Sequence, residues 1–254
     1  MIHPTAIIDP KAELADDVEV GPFTIIEHDV QVDSGTVIGP SVLLAHGARI
    51  GKNAVIHKGA VIGTVPQDLK FGGEVTLAYV GDCTTVREYV TINRGTTDHG
   101  KTTVGSDCLL MTYSHIAHDC VVGDKVILAN SVNLAGHVHI EENAIIGGIV
   151  PLHQFVRVGR HSFIAGGTRV SKDVPPYILA ANDPLRYAGL NSVGLRRRGF
   201  SAETIGAIKH AYKLIYLSDL NVSQGVGRVK DEMEILPEIQ HIIDFIEGSE
   251  RGII

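Results

Sequence analysis

The chain contains no tryptophan, six phenylalanines and three cysteines among its 254 residues. So few cysteines argue against a disulfide framework, and the scarcity of large aromatic side chains suits a narrow core of aliphatic residues. There is no basic N-terminal leader followed by an apolar segment, and no run of about eighteen apolar residues that would span a membrane. We therefore expect a soluble, cytoplasmic protein that is not exported.

Positive charge is also in deficit, because 22 lysines and arginines stand against 29 aspartates and glutamates, giving a net charge of −7. This balance argues against binding to nucleic acid, whose phosphates require a basic surface. Hydrophobic residues make up 44% of the chain. That share and the length allow one large core with a small appendage.

The dominant pattern is a six-residue repeat of aliphatic residues. The repeat runs from residue 2 to 62 and, in the same phase, from 80 to 170, with interruptions at Asp68, Glu74 and Asp98. A period of six fits neither an amphipathic helix nor a simple alternating strand. It predicts a parallel β-helix of triangular section, in which three hexapeptides complete a coil of eighteen residues. Strands stacked about 4.8 Å apart would then give roughly nine or ten coils.

Two other positions of each hexapeptide also show a preference for particular residues. Two positions before the aliphatic residue stands a small or β-branched residue, including Cys108 and Cys120, which we predict to be buried and unreactive. One position after it glycine recurs, as at Gly81 and Gly105. We interpret these glycines as relieving backbone strain at the corners of the prism.

The repeat defines the domain organisation. We expect a β-helix over residues 1–178, interrupted by polar insertions at about 64–79 and 93–103, and a helical domain over residues 179–254. Insertions in a solenoid usually lie on its functional face. Gln67, Asp68 and Lys70 in the first insertion suit a polyhydroxylated or phosphorylated ligand, and a solvated loop is the alternative.

Helical patterns appear only after residue 200. Ser201 is a predicted N-cap, a second helix is predicted over residues 224–235, and a third begins at Pro237 and ends at Gly248. The segment before Ser201 is predicted to be irregular. The three arginines at 196–198 suit either a pyrophosphate or a solvated basic turn.

Histidines concentrate between residues 111 and 154. Because residues eighteen apart stack, His118, Gly136 and Gln154 form one column, and Asp119 and His137 form the next. We predict that His118 faces outward as a general base, oriented by Asp119, and that the backbone N–H of Gly136 stabilises an oxyanion.

Three other interpretations of this cluster remain. In the first the histidines are only structural, in the second they bind zinc, and in the third they belong to a non-catalytic scaffold. Zinc-binding proteins of this architecture use histidines four residues apart, whereas His115 and His118 are three apart and His137 and His139 two apart. No serine or thiol is placed beside a base on an exposed column, so direct attack without a covalent intermediate is the simpler mechanism.

Several motifs together resemble the UDP-N-acetylglucosamine O-acyltransferase family of lipid A biosynthesis, along the whole chain. They are HIAHDC, LAGHV, IIGG, HQF, QDLK, DVPPY and RRRGF. The resemblance implies a left-handed β-helix that transfers an (R)-3-hydroxyacyl chain from acyl carrier protein to the 3-hydroxyl of UDP-N-acetylglucosamine. It also implies a homotrimer with active sites between the rods, and no metal or organic cofactor.

The motifs also carry over residue roles. His118, Asp119 and Gly136 would be catalytic, and Gly166 would leave room for a long acyl chain. The substrate-binding residues would be Gln67, Asp68, Lys70, His115, His137, His153, Gln154, Asn191, Arg197 and Arg198.

One departure and two rivals stay open. Asn93 stands where the best-known members have a histidine, so a sugar contact would differ there and the native sugar could be an amino-substituted variant. An N-acyltransferase acting on a UDP-aminosugar shares the rod but is usually longer at the N-terminus. A non-catalytic or zinc-dependent protein with the same repeat is the rival from a different class.

Overall fold

The computed structural model describes all of residues 1–254 and forms a prism of three parallel β-sheets, capped by helices. Its strands are β1 (Ile7–Ile8), β2 (Glu13–Leu14), β3 (Glu19–Val20), β4 (Ile25–Ile26), β5 (Gln31–Val32), β6 (Val37–Ile38), β7 (Leu43–Leu44), β8 (Ala48–Ile50), β9 (Val55–Ile56), β10 (Val61–Thr64), β11 (Leu77–Val80), β12 (Thr85–Val86), β13 (Thr91–Asn93), β14 (Lys101–Val104), β15 (Leu109–Leu110), β16 (His115–Ile116), β17 (Val121–Val122), β18 (Ile127–Leu128), β19 (Asn133–Leu134), β20 (His139–Ile140), β21 (Ile145–Ile146), β22 (Pro151–Leu152), β23 (Arg157–Val158), β24 (Phe163–Ile164), β25 (Ile178–Ala181) and β26 (Arg186–Leu190).

Every third strand belongs to the same sheet. The first sheet runs from β1 to β22, the second from β2 to β23, and the third from β3 through β24 to β25 and β26. Ile127 pairs with Ile145, and Ile145 with Phe163, so the coil is eighteen residues long. The left-handed parallel β-helix that the repeat and the resemblance predict is confirmed.

The aliphatic residues of the repeat fill the prism. Ile38, Leu128 and Val158 are each at most 1% exposed, as are most of their counterparts. Cys108 and Cys120 are buried as predicted, and burial raises the pKa of their thiols to about 11 and about 12. Both side chains therefore stay protonated and serve as small core residues.

For most of the repeated glycines the predicted physical reason was wrong, although Gly63 does adopt positive φ. Gly81 and Gly105 do not adopt positive φ; that conformation falls on corner residues such as Asp119, at φ 59°. A Cβ built on Gly81 would instead lie 2.6 Å from the carbonyl carbon of Gly105 on the next coil. These glycines are required because neighbouring coils approach too closely for any side chain.

Gly81→Ala should therefore lower the free energy of unfolding by about 1–3 kcal/mol, because the methyl group would force two backbones apart. Gly206→Ala is the matched control, since a Cβ at this exposed helical position meets nothing within 4 Å. The control should gain up to about 1 kcal/mol from reduced backbone entropy. Urea unfolding of both variants checks the prediction, and equal stabilities would contradict the close approach.

The C-terminal region contains four helices: α1 (Ser192–Arg197), α2 (Ala202–Tyr216), α3 (Val222–Glu232) and α4 (Pro237–Glu247). The Ser201 side chain accepts from Thr204 N, and Gly248 ends α4, as predicted. Helix α3 begins and ends earlier than the predicted range of 224–235. It starts at a capping box in which Asn221 and Gln224 bond reciprocally, and Met233 is already extended.

The segment before Ser201, predicted to be irregular, is instead ordered. Strand β25 continues the third sheet by pairing in parallel with β24, and β26 turns back antiparallel to it. Helix α1 follows. The Tyr212 hydroxyl donates to the carbonyl of Pro176 at 2.6 Å, and His241 Nε2 lies 2.7 Å from a Glu141 carboxylate oxygen, so α2 and α4 are fastened to the rod. None of the helices has the length and apolar character needed to cross a membrane.

Candidate active site

The prism has three edges, each a column of corner residues at positive φ. The first edge joins the first sheet to the second and contains Asp119, His137 and Phe155. The second edge joins the second sheet to the third and contains Lys125, Asn143 and His161. The third edge joins the third sheet to the first and contains Tyr113, Ser131 and Ile149.

A histidine–aspartate pair lies at the first edge. His118 Nδ1 is 2.8 Å from Asp119 Oδ2, and the ring rests on Gly136 of the next coil, where a Cβ would be 2.6 Å from its Cε1 and Nε2. We predicted an outward-facing ring. It does lie outside the aliphatic core, but it is only 7% exposed because the corner of the prism covers it.

The Asp119 carboxylate is held by the second insertion. Thr96 donates to it twice, from its backbone N at 2.9 Å and from its Oγ1 at 2.7 Å. Burial alone would raise the pKa of Asp119, but the hydrogen bonds from Thr96 and His118 outweigh it and hold the pKa below its usual value. Asp119 is therefore ionised at neutral pH and able to fix the tautomer of His118 and stabilise its protonated form.

Gly136 offers a free donor beside this pair. Its carbonyl accepts from Phe155 N, whereas its own N–H has no acceptor within the chain. His137, the next residue, stands edge-on to His118 with ring centroids 5.1 Å apart and stacks on Phe155 at 4.6 Å. An imidazole, a carboxylate that bonds it and an unpaired amide thus lie at one corner, and groups of these kinds can support acyl transfer.

The two insertions share one cleft, as the sequence suggested, and His137 is the member of the histidine cluster that lines it. The cleft has a volume of about 270 Å³, and its lining comprises Asp68, Lys70, Phe71, Glu74, Thr96, Thr97, Asp98, His137 and Phe155. Gln67 is exposed and does not line it. Carboxylates, an ammonium and an aromatic face suit a polar sugar.

The other residues predicted to bind the sugar lie on the first sheet or directly after one of its strands. His115 is half-buried, its Nδ1 is 2.7 Å from Thr91 Oγ1, and burial lowers its pKa. His153 is exposed, with its Nδ1 3.2 Å from an Arg251 nitrogen, and Gln154 is half-buried beside it. His115 precedes His118 on the same coil, and His153 and Gln154 follow the strand of the first sheet that lies two coils later.

The residues predicted to hold uridine and phosphates lie elsewhere. Asn191 donates to the carbonyl of His161 on the second edge, and its side-chain oxygen caps α1 by accepting from Gly194 N. Arg198 is near the same ring, while Arg197 is exposed. Gly166 lies against Gly148, beside the third edge. A single chain therefore does not bring these residues to His118.

Asn93 plays a different part from the sugar contact considered above. It is only 3% exposed, and its amide donates to Thr64 Oγ1 at 2.9 Å and to the carbonyl of Val65 at 3.1 Å. The Asn93 side chain therefore binds the residues at which the first insertion begins, Thr64 and Val65. Sequence reasoning missed this role, and it missed Thr96, because neither insertion has a periodicity that predicts its contacts.

His161 should make stability depend on pH. Burial, together with the nearby Arg198 and Arg160, lowers its pKa to about 4. Since the unfolded chain has a histidine pKa of about 6.5, the unfolded state binds the proton first as pH falls, and stability is lost between about 6.5 and 4. Urea unfolding at pH 7.5 and 4.5 should show a smaller loss for His161→Gln than for the parent; equal losses would contradict the lowered pKa.

Comparison with known proteins gives two family matches. Residues 173–254 match the family model described as UDP N-acetylglucosamine O-acyltransferase, domain 2, and residues 101–136 match the bacterial transferase hexapeptide repeat. Relatives from Janthinobacterium sp. (strain Marseille) and Aliivibrio fischeri (strain MJ11) are 50% and 52% identical. The alignments cover 100% of this chain and 99% and 97% of the relatives. Both relatives are named acyl-(acyl-carrier-protein)–UDP-N-acetylglucosamine O-acyltransferase.

Solved structures agree with these relatives. A UDP-N-acetylglucosamine acyltransferase from Bacteroides fragilis 9343 superposes with a TM-score of 0.98 at 48% identity, covering 100% of both chains. A UDP-N-acetylglucosamine O-acyltransferase from Moraxella catarrhalis RH4 superposes with a TM-score of 0.95 at 41% identity, covering 100% of this chain and 99% of the other. The likeness includes the rod, both insertions and the helical cap.

Proposed function

The chain belongs to the UDP-N-acetylglucosamine O-acyltransferase family, and from this membership we propose how its residues act. It is the acyltransferase of the first step of lipid A biosynthesis, with acyl carrier protein as acyl donor and UDP-N-acetylglucosamine as acceptor. The observation that carries the mechanism is the contact of the His118–Asp119 pair with Gly136. We infer that the transferred group is an (R)-3-hydroxyacyl chain and that the acceptor is the 3-hydroxyl of the glucosamine.

The reaction is a direct attack. His118 removes the proton from the sugar hydroxyl as its oxygen adds to the thioester carbonyl, and Asp119 stabilises the imidazolium. The N–H of Gly136, which has no acceptor in the chain, donates to the oxyanion of the tetrahedral intermediate. Collapse of the intermediate breaks the carbon–sulfur bond, and the proton passes from His118 to the leaving thiolate of the carrier protein.

The sugar lies in the cleft between the insertions. Asp68 and Lys70 line that cleft together with His137, and we assign further sugar contacts to Gln67, His115, His153 and Gln154. The uridine and phosphates are held by Asn191, Arg197 and Arg198. Asn191 and Arg198 lie beside the second edge, a whole sheet away from His118.

That separation supports a homotrimer whose sites lie between chains. Catalytic residues occupy the first edge and nucleotide-binding residues the second, so a complete site combines two chains. The third edge carries an apolar column of exposed Phe23, Tyr89, Tyr113 and Ile149, with the two tyrosine rings stacked 5.4 Å apart. Such a column suits burial against a neighbouring rod, and Gly166 beside it leaves space for a long acyl chain between them.

The activity is tested by incubating the protein with UDP-N-acetylglucosamine and (R)-3-hydroxyacyl carrier proteins of graded length. The expected product is the 3-O-acyl sugar nucleotide, formed fastest with a long chain. An amide product from a UDP-aminosugar, with no ester from UDP-N-acetylglucosamine, would contradict the O-acyltransferase assignment.

The shared site is tested by mixing two inactive variants, His118→Ala and Arg198→Ala, before assembly. If each site combines two chains, random trimers regain activity in about a quarter of their sites. If all residues of a site belonged to one chain, no mixture would be active.

A further inference from the structure

Asp98 and His137, which line the cleft, form a cluster with the neighbouring His99, and the proposed reaction gives a role to His137 alone of the three. Asp98 Oδ2 lies 3.2 Å from His137 Nδ1 and 3.8 Å from His99 Nε2, and the three potential ligand atoms all lie within 4.8 Å of one another. Zinc bound at about 2.0–2.1 Å in a tetrahedron holds its ligand atoms about 3.3 Å apart. Side-chain movements of about an ångström would therefore complete this geometry.

In each of the two imidazole rings one nitrogen atom faces Asp98 and the other faces Asp119. His99 Nδ1 is 3.3 Å from the carbonyl oxygen of Asp119, so it is placed to donate there and leave its Nε2 lone pair toward Asp98. His137 Nε2 is 3.8 Å from the Asp119 carboxylate, which leaves Nδ1 on the side of Asp98. Metal-binding histidines usually direct their second nitrogen to a carbonyl or carboxylate in this way.

From this geometry we propose that Asp98, His99 and His137 form a zinc site whose occupancy inhibits the enzyme. Two imidazoles and one carboxylate, with water as the fourth ligand, form a donor set that zinc accepts. The inhibition rests on the proposed function. The ion would occupy the cleft that also contains Asp68 and Lys70, where the sugar binds, and would engage His137, one of the proposed sugar-binding residues.

A second grouping shares His137 but suits a metal less well. It consists of His118, Asp119 and His137. The Asp119 side chain is fully buried and its carboxylate already accepts from two Thr96 groups and faces His118. By contrast, the Asp98 and His99 side chains are 63% and 51% exposed, so an ion can reach them without displacing a hydrogen-bonded network.

Direct binding is measured first, on the full-length protein without substrates. Isothermal titration with zinc should give one site per chain, and His99→Asn should weaken the affinity at least tenfold while its amide still donates to the Asp119 carbonyl. His3→Asn, at an exposed position near the N-terminus, is the matched control and should bind as the parent does. Cobalt substituted for zinc should show the visible absorption of a four-coordinate ion in the parent and lose it in His99→Asn.

Activity is measured second. Zinc should inhibit the parent competitively with UDP-N-acetylglucosamine, a chelator should restore the rate, and His99→Asn should keep the metal-free rate within about threefold yet resist inhibition. Failure of the parent to bind zinc, or equal binding by His99→Asn, would overturn the site. Bound zinc without inhibition would overturn the inhibitory role, whereas a parent inactive in metal-free buffer would count against the proposed function and leave the titration as the test of the site.

Discussion

His118→Ala should lower kcat by at least about a hundredfold, within the range of about 10²–10⁴ that general-base catalysis contributes. The reason is that the neighbouring groups are otherwise engaged: Asp119 accepts from Thr96 and pairs with His118, and His137 stacks on Phe155. Because His118 lies outside the aliphatic core, its loss should leave the fold intact. Steady-state kinetics with saturating substrates measures the effect.

The control must separate chemistry from folding. His57→Ala removes a half-buried imidazole on an earlier coil, whose Nδ1 lies 3.5 Å from a Glu88 carboxylate oxygen, and its activity should stay within about threefold of the parent. His118→Ala should elute from a sizing column as the parent does. A soluble, correctly assembled His118→Ala protein with near-parental kcat would rule out His118 as the base.

Added imidazole offers a second measurement on the same variant. A small base entering the space left by His118 should raise the rate in proportion to its unprotonated fraction. A purely structural histidine would not be replaced in this way, so rescue by imidazole supports proton transfer at this position. The measurement requires only the His118→Ala protein and a titration at two pH values.

The repeat predicted most of the rod, and with it the centre of the site. Stacking of residues eighteen apart is enough to place His118 against Gly136, since both lie in uninterrupted coils. The sequence did not predict the final coil, because β25 pairs Ala180 with Ile164 only sixteen residues earlier and so leaves the phase of the repeat. A coil of this shorter length does not keep the six-residue period, so its sequence looks like that of an irregular segment.

The sequence predicted that the two insertions contribute to the functional site, but it did not predict how they fold. Their contacts with the rod, such as Asn93 to Val65 and Thr96 to Asp119, depend on how a non-periodic loop folds back. The proximity of His99 to His137 has the same origin. The spacing argument against zinc applied only to histidines that are close together in the sequence. His99 and His137 are far apart in the sequence, and only the fold brings them together.

The repeated glycines illustrate a third limit. A glycine needed for positive φ and a glycine needed for close approach look identical in a sequence. The corners adopt positive φ with residues such as Asp119 and His137, at φ 59° and 62°, so the backbone there tolerates side chains. At Gly136 the constraint is the neighbouring imidazole of His118, and this connects the glycine at that position to the proposed general base.

Gly136→Ala should therefore lower kcat by about a hundredfold without unfolding the rod. Gly136 is not among the positive-φ residues, so the backbone accepts alanine, but the new Cβ would lie 2.6 Å from Cε1 and Nε2 of His118. The ring has to move, and a misplacement of about 1 Å can cost about 10²-fold in rate. Its Nε2 is the atom that receives the proton, because Nδ1 faces Asp119.

The matched control for this variant is Gly227→Ala, on α3, where a Cβ meets nothing within 4 Å; its kinetics should equal those of the parent. Because Gly136→Ala keeps the N–H of residue 136, a loss of kcat with an unchanged KM would be assigned to the displaced base and not to a missing oxyanion donor. If the kcat of Gly136→Ala were within about threefold of the parent value, the His118 ring could not lie against Gly136. The proposal that His118 and the Gly136 amide act together would then be wrong.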